Sequence, residues 1–233
     1  MTENQFGQPV GPDVPGWVPR PRPQRTDMVG RYCRLEPVST ERHAKDLFSA
    51  YQQAPDVRDW TYLFPSRPDT PQACSAYLDK LEASEDPLHF AVVDISTNKA
   101  VGTAALMRIE PTHGVIEVGG ITFSPLLKKT RAATESMYLM MRRAFDELGY
   151  RRYEWKCDSL NAPSRAAAER YGFTFEGIFR QVVVYHGRNR DTAWYSIIDS
   201  EWPRIRAAFE AWLDPANFSA DGRQKRSLSD LRG

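Results

Sequence analysis

The chain is poor in the residues that staple small secreted domains. Its three cysteines, Cys33, Cys74 and Cys157, are an odd number at scattered spacings. That pattern excludes a closed disulfide framework and a cysteine metal knuckle, and a reducing, cytoplasmic setting is the expectation. The four histidines, His43, His89, His113 and His186, lack metal-ligand spacing, so no metal is expected. Neither sign of charge is in excess: 31 Lys and Arg stand against 30 Asp and Glu. A net charge of +1 gives no global field that would draw the chain to nucleic acid or to a membrane surface. There is no run of about 18 apolar residues, so no transmembrane helix is expected. The opening MTENQFGQPVGPDVPGW has neither a basic start nor an apolar run, and does not read as a secretory leader. A glycine-rich nucleotide phosphate loop is also missing, which ranks a nucleotide or nucleic-acid binder last.

What is present is enough apolar sequence, 41% of 233 residues, for one sizeable core with extensions. Residues 1–29 form a Pro- and Gly-rich arm carrying Trp17, Arg20, Arg22 and Arg25. Proline fixes φ and cannot donate to a ladder, so the arm is extended. It is either a disordered leader or a strap pinned to the domain by Trp17. A first strand is predicted over 32–35. Thr40 is a candidate N-cap for a helix over 41–53. Thr70-Pro71 reads as the N-cap and first residue of a second helix reaching 83. Three β-prone runs follow, 89–95, 100–109 and 115–123, separated by tight turns, as in an antiparallel meander. The period then becomes helical over 130–149. A strand is expected at 153–157 and a short helix from Ala162-Pro163 to Tyr171-Gly172. Strand segments at 173–175, 181–186 and 191–198 surround a turn at Gly187-Arg188-Asn189. A last helix spans 201–213, and residues 214–233 read as a loose polar tail. The strand-helix-strand unit over 115–157 predicts a parallel pair joined by a right-handed crossover.

Four pieces of this pattern carry a resemblance. They are Ile116-Glu117-Val118-Gly119-Gly120-Ile121-Thr122-Phe123-Ser124-Pro125, then Lys128-Lys129-Thr130-Arg131-Ala132-Ala133-Thr134-Glu135. The third is Asn161-Ala162-Pro163-Ser164 leading to Tyr171-Gly172-Phe173. The fourth is Gly187-Arg188-Asn189-Arg190-Asp191 running into Trp194-Tyr195-Ser196-Ile197. In this order, over about residues 30–200, the chain resembles the GCN5-related N-acetyltransferases. It looks closest to the branch typified by the ribosomal-protein alanine N-acetyltransferases. The resemblance implies an α/β (α+β) fold, with a mixed, mostly antiparallel central sheet flanked by helices and a splayed parallel strand pair. It implies a transferase domain over 30–200 with the 201–213 helix packed on it. The second piece departs from the family: its middle glycine is Arg131 here.

The chemistry implied is transfer of an acetyl group from acetyl-coenzyme A to a primary amine, either a protein N-terminal α-amine or a small molecule. Both substrates would be bound together, with no cysteine as carrier. A helix N-terminus presents unpaired amides and a partial positive charge. The amides of Thr130, Arg131, Ala132 and Ala133 would therefore hold the diphosphate, with the side chains of Lys128, Lys129 and Arg131 adding charge. An amide near Phe123 would polarise the thioester carbonyl. Glu117 is the candidate base, directly or through water, with Asp158 and Glu154 as weaker choices; the other reading is a solvent-facing strand glutamate. Many family members place a tyrosine acid four residues before the Gly-Phe pair, where this chain has Ala168. The resemblance makes Ser164 the substitute partner of the leaving sulfur, and Asn161 a coenzyme ligand or a helix cap. Tyr171 is expected to pack beside the final strands, and Arg190 and Asp191 to order the last hairpin. A non-catalytic acyl-coenzyme A sensor is the alternative. The acceptor's identity and the choice between monomer and homodimer are left open by the sequence.

Overall fold

Alternating apolar residues and tight turns build the sheet, and the computed structural model describes residues 2–233. A small exposed hairpin of β1 (Thr2–Glu3) and β2 (Pro9–Val10) opens the chain. β3 (Met28–Val29) and β4 (Cys33–Pro37) lead to α1 (Thr40–Tyr51) and α2 (Pro71–Ala83). The meander is β5 (Leu88–Asp94), β6 (Lys99–Glu110) and β7 (Val115–Phe123). α3 (Arg131–Arg142) continues as a π-helical turn over Arg143–Glu147. Then come β8 (Arg152–Asp158), α4 (Ala162–Tyr171), β9 (Thr174–Tyr185), β10 (Arg188–Ile198), α5 (Trp202–Leu213) and α6 (Leu228–Arg232). Eight strands form one sheet in the order β3-β4-β5-β6-β7-β8-β10-β9. Every neighbouring pair is antiparallel except β7 and β8, which α3 joins as a crossover.

Strand alternation decides which face each side chain serves. Ile116 and Val118 of β7 and Tyr153 and Trp155 of β8 join Met137, Met140 and Met141 of α3 in the main core. Stacked aromatic pairs, Tyr138 on Phe209 and Phe145 on Trp202, fasten α5 to α3 and its continuation. On the other face, α1 and α2 pack through Leu47, Tyr51, Cys74 and Leu78 onto Ala91, Val93 and Ala100 of β5 and β6. The residues between those of the main core, Glu117 on β7 and Glu154 and Lys156 on β8, therefore point to this second face. They lie beyond the strands that α1 and α2 cover.

Three local expectations are corrected. Ser39, not Thr40, is the N-cap of α1, and its side chain makes no cap bond. Thr70 does cap α2, accepting from the Ala73 amide at 3.1 Å. The separate segments at 173–175 and 181–186 are one strand, β9, which stays paired with β10 through two register shifts, and the turn that follows is shorter than expected. It is made by His186 and Gly187, both left-handed at φ 48° and 68°. The polar tail is not loose. Phe218 meets Trp212 edge-on, Leu228 is buried, and Ser227 and Asp230 close a reciprocal cap on α6. Arg232 then donates to the Arg170 and Glu169 carbonyls. In the arm, Trp17 Nε1 donates to the Thr112 carbonyl at 2.9 Å, and Arg143 donates to Thr26 Oγ1 and the Asp27 carbonyl.

Candidate active site

The parallel pair opens partway along. β7 and β8 pair from Val115 with Arg152 to Val118 with Trp155 and no further, although both strands continue. The cause lies in β7. Gly120 takes φ 57°, and the register against β6 shifts between Thr103 and Ala105. Such a bulge bends a strand and adds local twist. Beyond it, the Ser124 amide donates to the Val101 carbonyl at 3.2 Å. Alternation therefore turns the Phe123 N–H to the other edge of β7, toward the gap. A cleft of about 1830 Å³ opens here, lined by Gly119 to Phe123 on one side and Trp155 to Asp158 on the other.

The N-terminus of α3 stands at the mouth of this gap. Thr130 Oγ1 accepts from the Ala133 amide at 3.1 Å and donates to the Leu127 carbonyl at 2.7 Å. The Thr130 amide also donates to Leu127. Of the four amides expected to be free, those of Thr130 and Ala133 are thus occupied. Those of Arg131 and Ala132, the first two of the helix, have no acceptor among the described residues. The sharp entry to the helix is taken at Lys129, with φ 62°. Arg131 is already helical, so replacing the family's glycine there strains nothing. Its guanidinium is not directed at the turn. It stacks on Tyr32 and Phe218 at 4.8 and 4.7 Å. Lys128 Nζ pairs with Asp59 Oδ1 at 2.5 Å across the cleft, and Lys129 is exposed.

The second face of the sheet carries a buried charge network. Glu117, 3% exposed, accepts at Oε2 from Arg108 Nη1 and Lys156 Nζ, both at 2.9 Å. Burial pushes its carboxyl up, and the two cations pull against that. Lys156 also pairs with Glu154 at 2.6 Å and lies 3.7 Å over the Trp194 ring. Glu117 Oε1 accepts nothing among the described residues, and a Cβ built on Gly119 would lie 3.5 Å from it. The free oxygen therefore faces the bulge. Asp158 is held by the Tyr185 hydroxyl at 2.7 Å and the Leu160 amide at 2.9 Å.

α4 supplies the opposite wall. Asn161 Oδ1 accepts from the Ser164 amide at 3.2 Å, which makes Asn161 the helix cap. Ser164 Oγ accepts from Trp155 Nε1 at 3.0 Å. With that acceptor position filled, the hydroxyl hydrogen is free to turn toward the cleft. Ala168 is fully buried and offers no acid. Tyr171 does not pack beside the final strands; it lies against Trp155 of β8 and Phe209 of α5. Cys157 lines the gap, but burial pushes its thiol up, which disfavours the nucleophilic thiolate.

Sequence reasoning missed several residues that line the cleft. His89 is 7% exposed, its Nδ1 lacks a partner, and burial lowers its pKa to about 4. A Cβ on Gly120 would meet its Cε1 at 3.2 Å. A histidine in an apolar strand gives no signal that it will face a bulge two strands away. The sequence pattern assigns no element to the 58–65 segment. It holds Asp59 against Lys128, and its Leu63 and Thr61 carbonyls are linked to His186 and Arg188 of the last hairpin. Among the described residues no group of three or more His, Cys, Asp or Glu is placed to hold a metal ion. None of their helices is long and apolar enough to cross a membrane.

A bulged strand splaying from its parallel neighbour, with a helix N-terminus over the opening, defines the acetyltransferase fold that the sequence pattern implies. The chain belongs to the GNAT acetyltransferase family: the model of the acetyltransferase (GNAT) domain matches residues 33–174. A GCN5-related N-acetyltransferase from Brucella melitensis is 50% identical, covering 94% of this chain and 99% of its own, with a TM-score of 0.92. A probable GNAT-family acetyltransferase from Chromobacterium violaceum is 37% identical over 84% and 98% of the two chains, with a TM-score of 0.77. The microcin C7 self-immunity acetyltransferase MccE, solved with acetyl-CoA and AMP, shares the fold at 17% identity. There the alignment covers 72% and 93% of the chains, with a TM-score of 0.62. No curated protein matches the sequence.

Proposed function

We infer that the chain moves an acetyl group from acetyl-coenzyme A directly to a primary amine. The observation that carries this reading is the gap between β7 and β8 beneath the two unpaired amides of α3. Those amides and the helix dipole suit a diphosphate, and an extended pantetheine arm suits a slot edged by strand backbone. The complex of MccE with acetyl-CoA supports the choice of donor.

Each residue then has a task that its surroundings allow. The Phe123 N–H, turned to the gap, polarises the thioester carbonyl as charge develops on oxygen. Glu117 Oε1 takes the amine proton, directly or through a water, while Arg108 and Lys156 hold the other oxygen in place. Ser164, oriented by Trp155, donates a hydrogen bond to the departing thiolate sulfur, directly or through a bridging water, and keeps its own proton. Asn161 positions Ser164 by capping α4. Cys157 carries no acyl group, because its thiol is held protonated. Lys128 reaches the phosphates once it leaves Asp59. The motif resemblance to the ribosomal-protein alanine N-acetyltransferases favours an α-amine of a peptide or protein as acceptor, in the cytoplasm.

An acetyl-coenzyme A consumption screen against N-terminal peptides and small amines tests this. Turnover with at least one amine class is expected. Coenzyme binding without turnover on any of them would leave the sensor reading in its place. Ser164→Ala is expected to lower kcat by about 10-fold or more and to change the coenzyme Kd little; equal kcat would remove Ser164 from the reaction.

A further inference from the structure

Arg190 is a buried cation that the transferase reading leaves without a task. It lies on β10 at the register shift between Arg190 and Thr192, and only 8% of it is exposed. Its guanidinium sits over the rings of Phe64 at 5.3 Å and Tyr185 at 5.8 Å. Its Nε donates to Thr192 Oγ1 at 3.2 Å. Among the described residues Arg190 makes no other hydrogen bond and no ion pair. Asp158, on the neighbouring strand, is already committed to Tyr185 and Leu160.

The contrast within one cleft is informative. Arg108 meets one carboxylate there, Lys156 meets two, and Arg152, further along the same sheet face, also meets two. Arg190 and Arg131 both stack on aromatic rings with their terminal nitrogens unpaired among the described residues, but Arg190 is buried and Arg131 only half-buried. Most of the Arg190 side chain is buried, but it lines the cleft and none of its nitrogens is both fully buried and unpartnered, so its unpaired terminal donors reach the cleft and are open to an anion there. The planar fork of the guanidinium matches the paired oxygens of a carboxylate or phosphate. The aromatic rings on which it stacks fix its direction, and Phe64 lines the cleft with it. The 58–65 segment that carries Phe64 is itself tied to the hairpin by His186 and Arg188. Arg190 therefore belongs to a constructed wall on the acceptor side, reached from the same cleft as the Gly120 bulge.

We propose that Arg190 binds an anionic oxygen group, a carboxylate or a phosphate, carried by the amine acceptor. The enzyme then selects amines with an oxyanion at their far end over neutral amines of the same length. This rests on the transferase reading, and its test separates the two.

The probes are three series of increasing chain length: ω-amino carboxylates, ω-aminoalkyl phosphates and n-alkylamines. Wild-type protein is expected to show kcat/KM at least about 30-fold higher for an anionic amine than for its neutral partner. Whichever anionic series shows the greater advantage identifies the group. Arg190→Gln is expected to cut that ratio by about 10-fold or more. Arg190→Lys, which keeps the charge but not the fork, is expected to fall between. Calorimetric binding of the amino carboxylates in the presence of coenzyme A gives a readout that needs no turnover, and the same order of variants is expected. An unchanged ratio and unchanged binding in Arg190→Gln would overturn the assignment. So would a loss of acetyl-coenzyme A affinity in that variant with the ratio intact, since the anion would then be the coenzyme's. Absence of acetyl transfer with Arg190-dependent binding intact would instead fail the transferase reading alone.

Discussion

Glu117 is a carboxylate on which two forces oppose each other. Removal from water favours its neutral form, and Arg108 and Lys156 favour the charged one. The net direction is upward from 4.5. A base works only when unprotonated, so activity is lost as pH falls through the raised value, not through the ordinary carboxylate range. The kcat/KM profile is thus expected to bend down on the acid side above pH 4.5. Glu117→Gln is expected to lose about 10²-fold or more in kcat and to abolish that bend. A profile with the same bend in the Gln variant would assign the titration to another group. Glu117 and Ser164 were legible as candidates through the motifs that carry the family resemblance, while alternation alone left the face of Glu117 open. The sequence could not supply their partners. Lys156 sits one strand away and Trp155 nine residues before Ser164, and such contacts depend on register and on where α4 turns back.

At the scale of elements, the turn before α3 shows what a motif does and does not carry. The helix start was legible from Thr130 and the helical period. Which amides would remain free was not, since Thr130 closes its own cap onto Ala133. The family's glycine aligns with Arg131, but the left-handed residue of this turn is Lys129, at φ 62°. Asp59 adds a contact between elements, its ion pair with Lys128, which in the proposed complex would compete with the coenzyme for that lysine. Both side chains are about a third or more exposed, so the pair is weak, about 1 kcal/mol or less. Asp59→Asn is therefore expected to tighten acetyl-coenzyme A binding by a few-fold at most, measured by calorimetry. Weaker binding in the variant would show that Asp59 supports the site rather than competing for it.

The whole molecule is held together at a point the sequence marks only as the end of a motif. Glu135, in the second turn of α3, accepts from the amides of Arg31, Tyr32 and Cys33 at 2.7, 2.6 and 2.8 Å. Gly30 has to be glycine beside it, because a Cβ there would sit 2.4 Å from the carboxyl carbon. Glu135→Ala leaves three amides without an acceptor. It is expected to cost about 3 kcal/mol or more, read as a lower denaturation midpoint; a loss under about 1 kcal/mol would mean water replaces the carboxylate. The sheet, its parallel pair and the helix order were legible because each strand and helix declares its own period. The folded tail was not. Phe218 and Leu228 are isolated apolar residues in polar sequence, and only the groove beside α5 gives them a place to go.

The central claim is geometric, and a crystal structure with acetyl-coenzyme A bound tests it most directly. Diphosphate oxygens are predicted about 3 Å from the Arg131 and Ala132 amides, with the pantetheine running between β7 and β8 past the Phe123 N–H. A coenzyme bound elsewhere, or a diphosphate that leaves those two amides unengaged, would contradict the account.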